Sequence, residues 1–255
     1  MRPRLLPYVM DFNIKKPTHI FALLVILFAF FLIIVYPALS FFGVFPSTQT
    51  AGMEITESLI LFSSIIAVLI FLGTPFLWYL LVNKYSIKEM LFNLKLRSER
   101  IDEAFLWGIL AAIAMLVIVF VIGYLLYALG VDQENLSNIE DLAGKLSIAS
   151  MLFIIVFQSI SEEIFFRGFL LEKIDSIAGK KMAIFVTAIL FGLAHMSYGK
   201  IYPAIMPIIM GIFLGYIVVK TKNLYSAITA HMIFNFASFI LYIFAQSLNL
   251  EALIL

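Results

Sequence analysis

Long stretches without a single charged residue recur along this chain, and they set the strongest limit on its fold. One of them runs from residue 20 to residue 45, which exceeds the roughly 20 apolar residues that a helix needs to cross a bilayer. Hydrophobic residues make up 63% of the chain and charged residues 13%, whereas soluble domains have about 25% charged residues. This balance excludes a water-soluble globular protein and also a disordered chain, which needs low hydrophobicity and high charge.

Seven stretches meet or nearly meet the length of a membrane-spanning helix. They cover about residues 20–45, 58–82, 104–129, 147–171, 182–197, 202–219 and 224–247. The first is longer than the core of a cleaved signal peptide, so we interpret it as a retained anchor. The sequence therefore predicts an all-α fold, a polytopic bundle of about seven to eight transmembrane helices.

The distribution of cations predicts the orientation of this bundle. If the N-terminus is cytoplasmic, fourteen of the 17 Lys and Arg residues lie on the cytoplasmic side. Lys145 and Lys200 then lie in outer loops, and Arg167 lies within a span. Because cytoplasmic loops are enriched in Lys and Arg, we expect this orientation in the cell membrane.

Charge and cysteine content also limit the chemistry. The net charge of +1 creates no basic field, so we expect no nucleic acid partner. The chain has no cysteine, which excludes a thiolate nucleophile and Cys-ligated zinc. Residues 84–102 alternate apolar side chains with cations, which predicts an amphipathic helix at the cytoplasmic interface, with a polar loop as the alternative. Gly211 and Gly215, one turn apart, predict close packing between two helices.

Ionisable side chains within membrane spans are costly and by default indicate function. They are Glu162, Glu163 and Arg167 in the fourth predicted span, His195 in the fifth, and His231, with Asn235 one turn later, in the seventh. Glu163 and Arg167 are four residues apart, so we expect them to pair on one helix face. Glu162 is rotated by about 100° from Glu163 and has no cation at helical spacing, so it needs a partner from another helix.

These residue types suit hydrolysis of an amide. A lone carboxylate beside an imidazole can remove a proton from water and make the water nucleophilic. His231 and Asn235 project from one face, and two such donors can stabilise the negative charge that develops on the carbonyl oxygen. With a rise of about 1.5 Å per residue, the distances from the cytoplasmic ends of the spans place all these groups in one layer of the membrane.

Three motifs, Glu162-Glu163-xxx-Arg167, Phe191-xxx-His195 and His231-xxx-Asn235, resemble those of the CAAX protease and bacteriocin-processing family, also called Abi. This family includes the type II CAAX prenyl endopeptidases, and the resemblance covers about residues 151–239. It implies an intramembrane glutamic endopeptidase with a catalytic cavity that opens towards the cytosol.

The resemblance also implies a role for each matched residue. Glu162 would be the catalytic glutamate and His195 its co-catalyst. His231 and Asn235 would stabilise the oxyanion, and Glu163 with Arg167 would form a supporting pair. Residues 1–145 would be N-terminal transmembrane helices with the interfacial helix, and residues 146–255 the catalytic core. The expected substrate is a membrane-associated or lipidated peptide or protein in the bilayer, prenylated CAAX proteins among them, and no cofactor is expected.

Other interpretations of the same residues stay open. The buried charges and hydrogen-bonding groups could hold helices together, or could form the proton relay of a proton-coupled transporter. A non-proteolytic immunity or binding protein of the same fold is a further alternative. A metalloprotease mechanism is also open, because Glu162, His195 and His231 could form a His₂Glu zinc site, although the HExxH signature is absent.

Overall fold

A computed structural model describes residues 12–45, 55–130, 144–198 and 202–247, and these residues form eight helices with no strand. The helices are α1 (Pro17–Phe41), α2 (Glu57–Asn83), α3 (Ile87–Asn93), α4 (Ile101–Ala128), α5 (Ile148–Ala178), α6 (Lys180–Ala194), α7 (Tyr202–Thr221) and α8 (Tyr225–Ser247). A 3₁₀ turn, His195–Tyr198, follows α6. The predicted all-α membrane bundle is confirmed.

Within the described ranges, six helices are long and apolar enough to cross a membrane, namely all except α3 and α6. They correspond to six of the seven predicted stretches. The seventh, residues 182–197, forms α6, which is 15 residues long and ends at Ala194 where the 3₁₀ turn begins. By length, the described residues hold six candidate spans, whereas α6, which covers the seventh predicted stretch, is shorter than a typical span and packs along α7.

The surface of the long helices is apolar. Large side chains are widely exposed there, for example Phe28 (64%), Leu69 (65%), Tyr124 (69%) and Phe244 (60%). A soluble monomer rarely exposes an apolar surface this extensive, whereas hydrocarbon chains solvate it well. The chain is therefore an integral membrane protein.

Helix α5 is the centre of the bundle. Half of its most apolar 18-residue stretch is buried, against 22% of the corresponding stretch of α4. Helices α2, α6, α7 and α8 all pack against α5. Two π-helical segments, Ile154–Gln158 and Ile164–Leu170, flank a short α-helical segment, Ser159–Glu163. A π-helical turn inserts an extra residue and so changes the direction of the side chains that follow it, which is frequent at functional sites.

Helices α2 and α5 run parallel and are joined at both ends. At their N-terminal ends, Glu57 accepts hydrogen bonds from the backbone N–H of Ser147, at 2.9 Å, and from the Ser150 hydroxyl. Near their C-terminal ends, the Tyr79 hydroxyl donates to Glu172 at 2.8 Å, and both residues are buried. These two links hold α5 in a fixed position against α2.

The predicted close packing at Gly211 and Gly215 is confirmed, and it joins α6 to α7. A methyl group at Gly211 would lie 2.8 Å from the Cα atom of Ala188, which real side chains do not tolerate. A methyl group at Gly215 would lie 3.3 Å from Ile184. The backbones of the two helices therefore approach closely because both positions lack a side chain.

The interfacial helix is shorter than the predicted 84–102. Helix α3 has seven residues and begins with a capping box in which Ser86 and Glu89 exchange hydrogen bonds. The helix cannot extend across the whole stretch because Lys84, Lys95 and Arg100 have φ values of 56°, 60° and 55°. A right-handed helix has no place for such left-handed residues.

After α3 the chain continues as an irregular segment, residues 94–100, which packs against the C-terminal half of α5. Leu94 is fully buried and lies against Gly168 and Leu224. The Asn223 amide donates to the carbonyl of Arg97 at 3.0 Å, and the Leu224 N–H donates to the carbonyl of Lys95 at 2.9 Å. The segment is thus tied to the turn between α7 and α8.

Candidate active site

The two carboxylates of α5 and the guanidinium one turn later are buried in the bundle. Glu162 is 4% exposed, and Glu163 and Arg167 are fully buried. Arg167 Nη1 donates to Glu163 Oε1 at 2.8 Å, which is the pair that the spacing predicts. The guanidinium carbon also lies 4.2 Å from the centre of the Phe191 ring, a cation–π contact with α6.

The space around Arg167 depends on a glycine of α7. A methyl group at Gly211 would lie 3.2 Å from Arg167 Nη2, so the guanidinium fits because this position is glycine. Arg167 Nε and Nη2 and Glu163 Oε2 have no hydrogen-bond partner among the described residues. The ion pair therefore has unused donors and an unused acceptor in the protein interior.

His231 of α8 links the two carboxylates. Its Nδ1 atom lies 2.9 Å from Glu163 Oε1, and its Nε2 atom lies 3.9 Å from Glu162 Oε2. Because an ionised carboxylate only accepts hydrogen bonds, Nδ1–H donates to Glu163, and Nε2 is directed towards Glu162. The predicted partner of Glu162 from another helix is thus present, and it includes the histidine of α8.

Two further polar residues of α5 belong to this cluster. Gln158 Nε2 donates to Glu162 Oε1 at 3.0 Å, and Asn235 Nδ2 of α8 donates to Ser159 Oγ at 3.1 Å. The contact of Gln158 was not predicted from the sequence, although its spacing of four residues from Glu162 could have indicated it. Ser159 gives no comparable signal in the sequence, because its partner lies on another helix.

His195 lies at the end of α6, where the 3₁₀ turn begins. Its Nδ1 atom is 2.7 Å from the carbonyl oxygen of Phe191, so Nδ1–H donates to that carbonyl. The ring of Phe191 contacts both His195 and His231, with centroid distances of 4.6 and 5.8 Å. His195 is also close enough to Glu162 and His231 to interact with both electrostatically.

The arrangement does not fit the His₂Glu zinc site that the residue types allow. Among the described residues, no three His, Cys, Asp or Glu side chains converge as a metal site requires. We therefore assign no step of the chemistry to a metal ion.

Comparison with known proteins agrees with the motifs. Residues 144–237 match the family model described as Type II CAAX prenyl endopeptidase Rce1-like. The chain is also similar to the uncharacterized protein YyaK of Bacillus subtilis (strain 168), with 31% identity over 147 residues, which are 54% of this chain and 46% of YyaK. The match thus spans less than half of that relative, and no solved structure matches the chain. Residues 144–237 carry all three motifs, so their similarity to the Rce1-like type II CAAX prenyl endopeptidases agrees with the resemblance to the CAAX protease and bacteriocin-processing family.

Proposed function

We propose that this protein is an intramembrane endopeptidase that hydrolyses a peptide bond with a water molecule activated by Glu162. The observation that carries the proposal is the position of His231, which reaches Glu163 at 2.9 Å and lies 3.9 Å from Glu162. This contact joins the first and third motifs in one buried cluster, and Phe191 connects it to the second. A structural ion pair alone needs neither the second carboxylate nor the two histidines.

The chemistry begins with water held beside Glu162. The separation of 3.9 Å between Glu162 Oε2 and His231 Nε2 is too long for a direct hydrogen bond and suits a water molecule that both groups contact. Glu162 takes a proton from this water as the oxygen attacks the substrate carbonyl. His195, at the start of the 3₁₀ turn that follows α6, assists as co-catalyst. The proton then passes to the leaving amine as the C–N bond breaks.

Negative charge on the carbonyl oxygen is stabilised by His231 and Asn235. In its charged form His231 donates from Nδ1 to Glu163 and from Nε2 towards the reacting centre. That form also balances the cluster, because Glu162 and Glu163 carry two negative charges whereas Arg167 carries one positive charge. Removing one oxyanion donor typically lowers turnover by about 10²–10³-fold.

The substrate is a membrane-associated protein or peptide, and prenylated CAAX proteins are the first class to test. The family match supports this choice, and the positive-inside rule supports access from the cytosolic side. Glu162 and His231 are each 4% exposed. The helices around them must therefore separate before a peptide reaches the cluster.

The proposal is tested with the purified protein in lipid vesicles and a farnesylated peptide that ends in a CAAX sequence. We expect release of the C-terminal tripeptide, detected by mass spectrometry, and no release by the Glu162→Gln variant. The same peptide without the lipid measures the requirement for prenylation. A comparison of peptide termini in membranes that contain the wild type or Glu162→Gln extends the search to other substrates. If the wild type and Glu162→Gln give the same products in both experiments, the proposed function is wrong.

The metal-free mechanism makes a separate prediction. Active protein should contain less than one metal ion per chain by elemental analysis and should keep its activity after prolonged chelation. A zinc mechanism predicts the opposite, because removal of the ion would abolish activity and added zinc would restore it. Recovery of activity with one zinc ion per chain would contradict our assignment.

A further inference from the structure

We propose that Gln158 and Ser159 are positioning residues of the active site. Gln158 orients the carboxylate of Glu162, and Ser159 orients the amide of Asn235. Neither residue belongs to the three motifs that define the site. This inference rests on the proposed function, because it concerns how the proposed catalytic groups are held.

Gln158 determines which oxygen of Glu162 is available for catalysis. Its amide occupies Oε1 at 3.0 Å, so Oε2 is the oxygen directed towards His231. The terminal torsion of a glutamate has a broad energy profile, and without this hydrogen bond the carboxylate can rotate. Gln158 is the last residue of the π-helical segment Ile154–Gln158, and it reaches Glu162 one turn later. The hydrogen bond is partly buried, and the lower local dielectric strengthens it.

Ser159 performs the same task for the oxyanion side. Ser159 is 1% exposed, and its hydroxyl oxygen accepts one N–H of the Asn235 amide at 3.1 Å. An amide nitrogen has two N–H groups, so the second stays available for the oxyanion while the first fixes the plane of the amide. This contact also connects α5 to α8 one turn away from the contact between Glu163 and His231.

Each contact positions a group for a different part of the reaction, either proton removal or stabilisation of the oxyanion. Gln158 supports the group that removes the proton, and Ser159 supports a group that receives the negative charge. Because preorganisation acts on the transition state, loss of either contact should lower kcat with little effect on KM. A merely structural role would lower the amount of folded protein and leave kcat per folded molecule unchanged.

The test compares Gln158→Leu and Ser159→Ala with Ser161→Ala as the matched control. Ser161 is also buried on α5, but its hydroxyl donates to the backbone carbonyl of Gln158 and not to a catalytic group. With the farnesylated CAAX peptide in lipid vesicles, we expect kcat to fall by about 10–100-fold in Gln158→Leu and Ser159→Ala, as small misplacements of catalytic groups do. KM should be unchanged in both, and Ser161→Ala should keep the kcat of the wild type. Thermal unfolding of each variant in detergent gives the fraction of folded protein.

A double variant tests whether Ser159 acts through Asn235. If it does, Ser159→Ala should lower kcat much less in an Asn235→Ala background than in the wild type, because the group that it positions is absent. Full additivity of the two substitutions would contradict this route. Wild-type kcat in both Gln158→Leu and Ser159→Ala would overturn the inference and leave the proposed function intact. Inactivity of the wild type on every substrate would overturn both.

Discussion

Adjacent glutamates of one helix have different environments, and this difference supports the different roles that we propose for them. Glu163 is fully buried and accepts hydrogen bonds from Arg167 and His231, both of which are buried beside it. Glu162 accepts one hydrogen bond from Gln158 and keeps its second oxygen directed towards the His231 side. Glu163 Oε2 also has no hydrogen-bond partner among the described residues, whereas Glu162 Oε2 faces His231 Nε2 at 3.9 Å, where a base could act on a water molecule between them.

This difference predicts opposite effects of two similar substitutions. Glu163→Gln should destabilise the protein by about 3–5 kcal/mol, because it leaves Arg167 as an unpaired charge in the interior. Glu162→Gln should change stability little, because the amide replaces a carboxylate without a paired cation on its own helix. Unfolding of both variants in the same detergent measures the two free energies. Equal stabilities would contradict the separation of roles.

The sequence alone predicts the ion pair of the site, which lies within one helix. Glu163 and Arg167 are four residues apart, and their pairing follows from helix geometry. The contact of Asn235 with Ser159 does not follow, because it depends on the rotation of α5 against α8. Two π-helical segments alter that rotation, and a uniform helical period does not reveal them.

At the scale of the elements, the segment 94–100 differs most from expectation. The spacing of apolar residues and cations predicts one amphipathic helix, whereas left-handed residues confine it to α3. Hydrophobic periodicity shows which side chains are buried, and Met90 and Leu94 are indeed buried. Periodicity does not show that the backbone carbonyls of Lys95 and Arg97 accept hydrogen bonds from the turn between α7 and α8 instead of continuing the helix.

Lys95 provides a test of this segment. Its Nζ atom is buried without a hydrogen-bond partner among the described residues, and burial lowers the pKa of Lys95, an effect that the nearby Glu172 partly offsets. Lys95→Met should therefore stabilise the protein at neutral pH by about 1–3 kcal/mol, the cost of an unsatisfied buried polar group. Lys88→Met, at an exposed position of α3, is the matched control and should have little effect.

The pH dependence has a definite sign. The pKa of Lys95 is below its unfolded value of 10.5, so the unfolded chain binds the proton more tightly. The destabilisation is complete below the folded-state pKa and disappears as the pH rises towards the unfolded value. The difference in unfolding free energy between wild type and Lys95→Met should therefore shrink as the pH approaches 10.5. A difference that grows in this direction would contradict the assignment.

At the scale of the whole molecule, six of the seven predicted apolar stretches form helices long enough to span a membrane, counted over the described residues. The seventh stretch shows that apolar length does not determine where a helix ends. Residues 182–197 are apolar enough to suggest a span, but α6 ends after 15 residues, and His195 begins the turn that follows. The helix ends next to Phe191, whose ring contacts both His195 and His231. An apolar pattern gives the approximate extent of a helix but not the residue at which it stops.

The predicted orientation, with the N-terminus in the cytoplasm, can be tested by labelling single cysteines in intact cells. Because the chain has no cysteine, single cysteines can be introduced without background. A cysteine at the exposed Lys88 should resist membrane-impermeant thiol reagents in intact cells, whereas one at the exposed Lys145 should react. Lys95 is a poorer probe because its ammonium is buried, and Asn135, in a predicted outer loop, lies outside the described residues.

Permeabilised cells supply the control for this experiment. Both cysteines should react there, which shows that the resistance of the Lys88→Cys variant is due to the membrane and not to burial. The reverse pattern in intact cells would place the N-terminus outside and would contradict access of substrate from the cytosol.

The ion pair of Glu163 with Arg167 lies within one helix, whereas the groups that would carry out hydrolysis come from three helices. During synthesis, α5 can therefore enter the bilayer with its arginine already neutralised, before α8 has left the ribosome. Glu162 meets His231 only after α8 has been inserted. A nascent chain would then have no competent active site, so neighbouring membrane proteins would be protected from cleavage until the bundle is assembled.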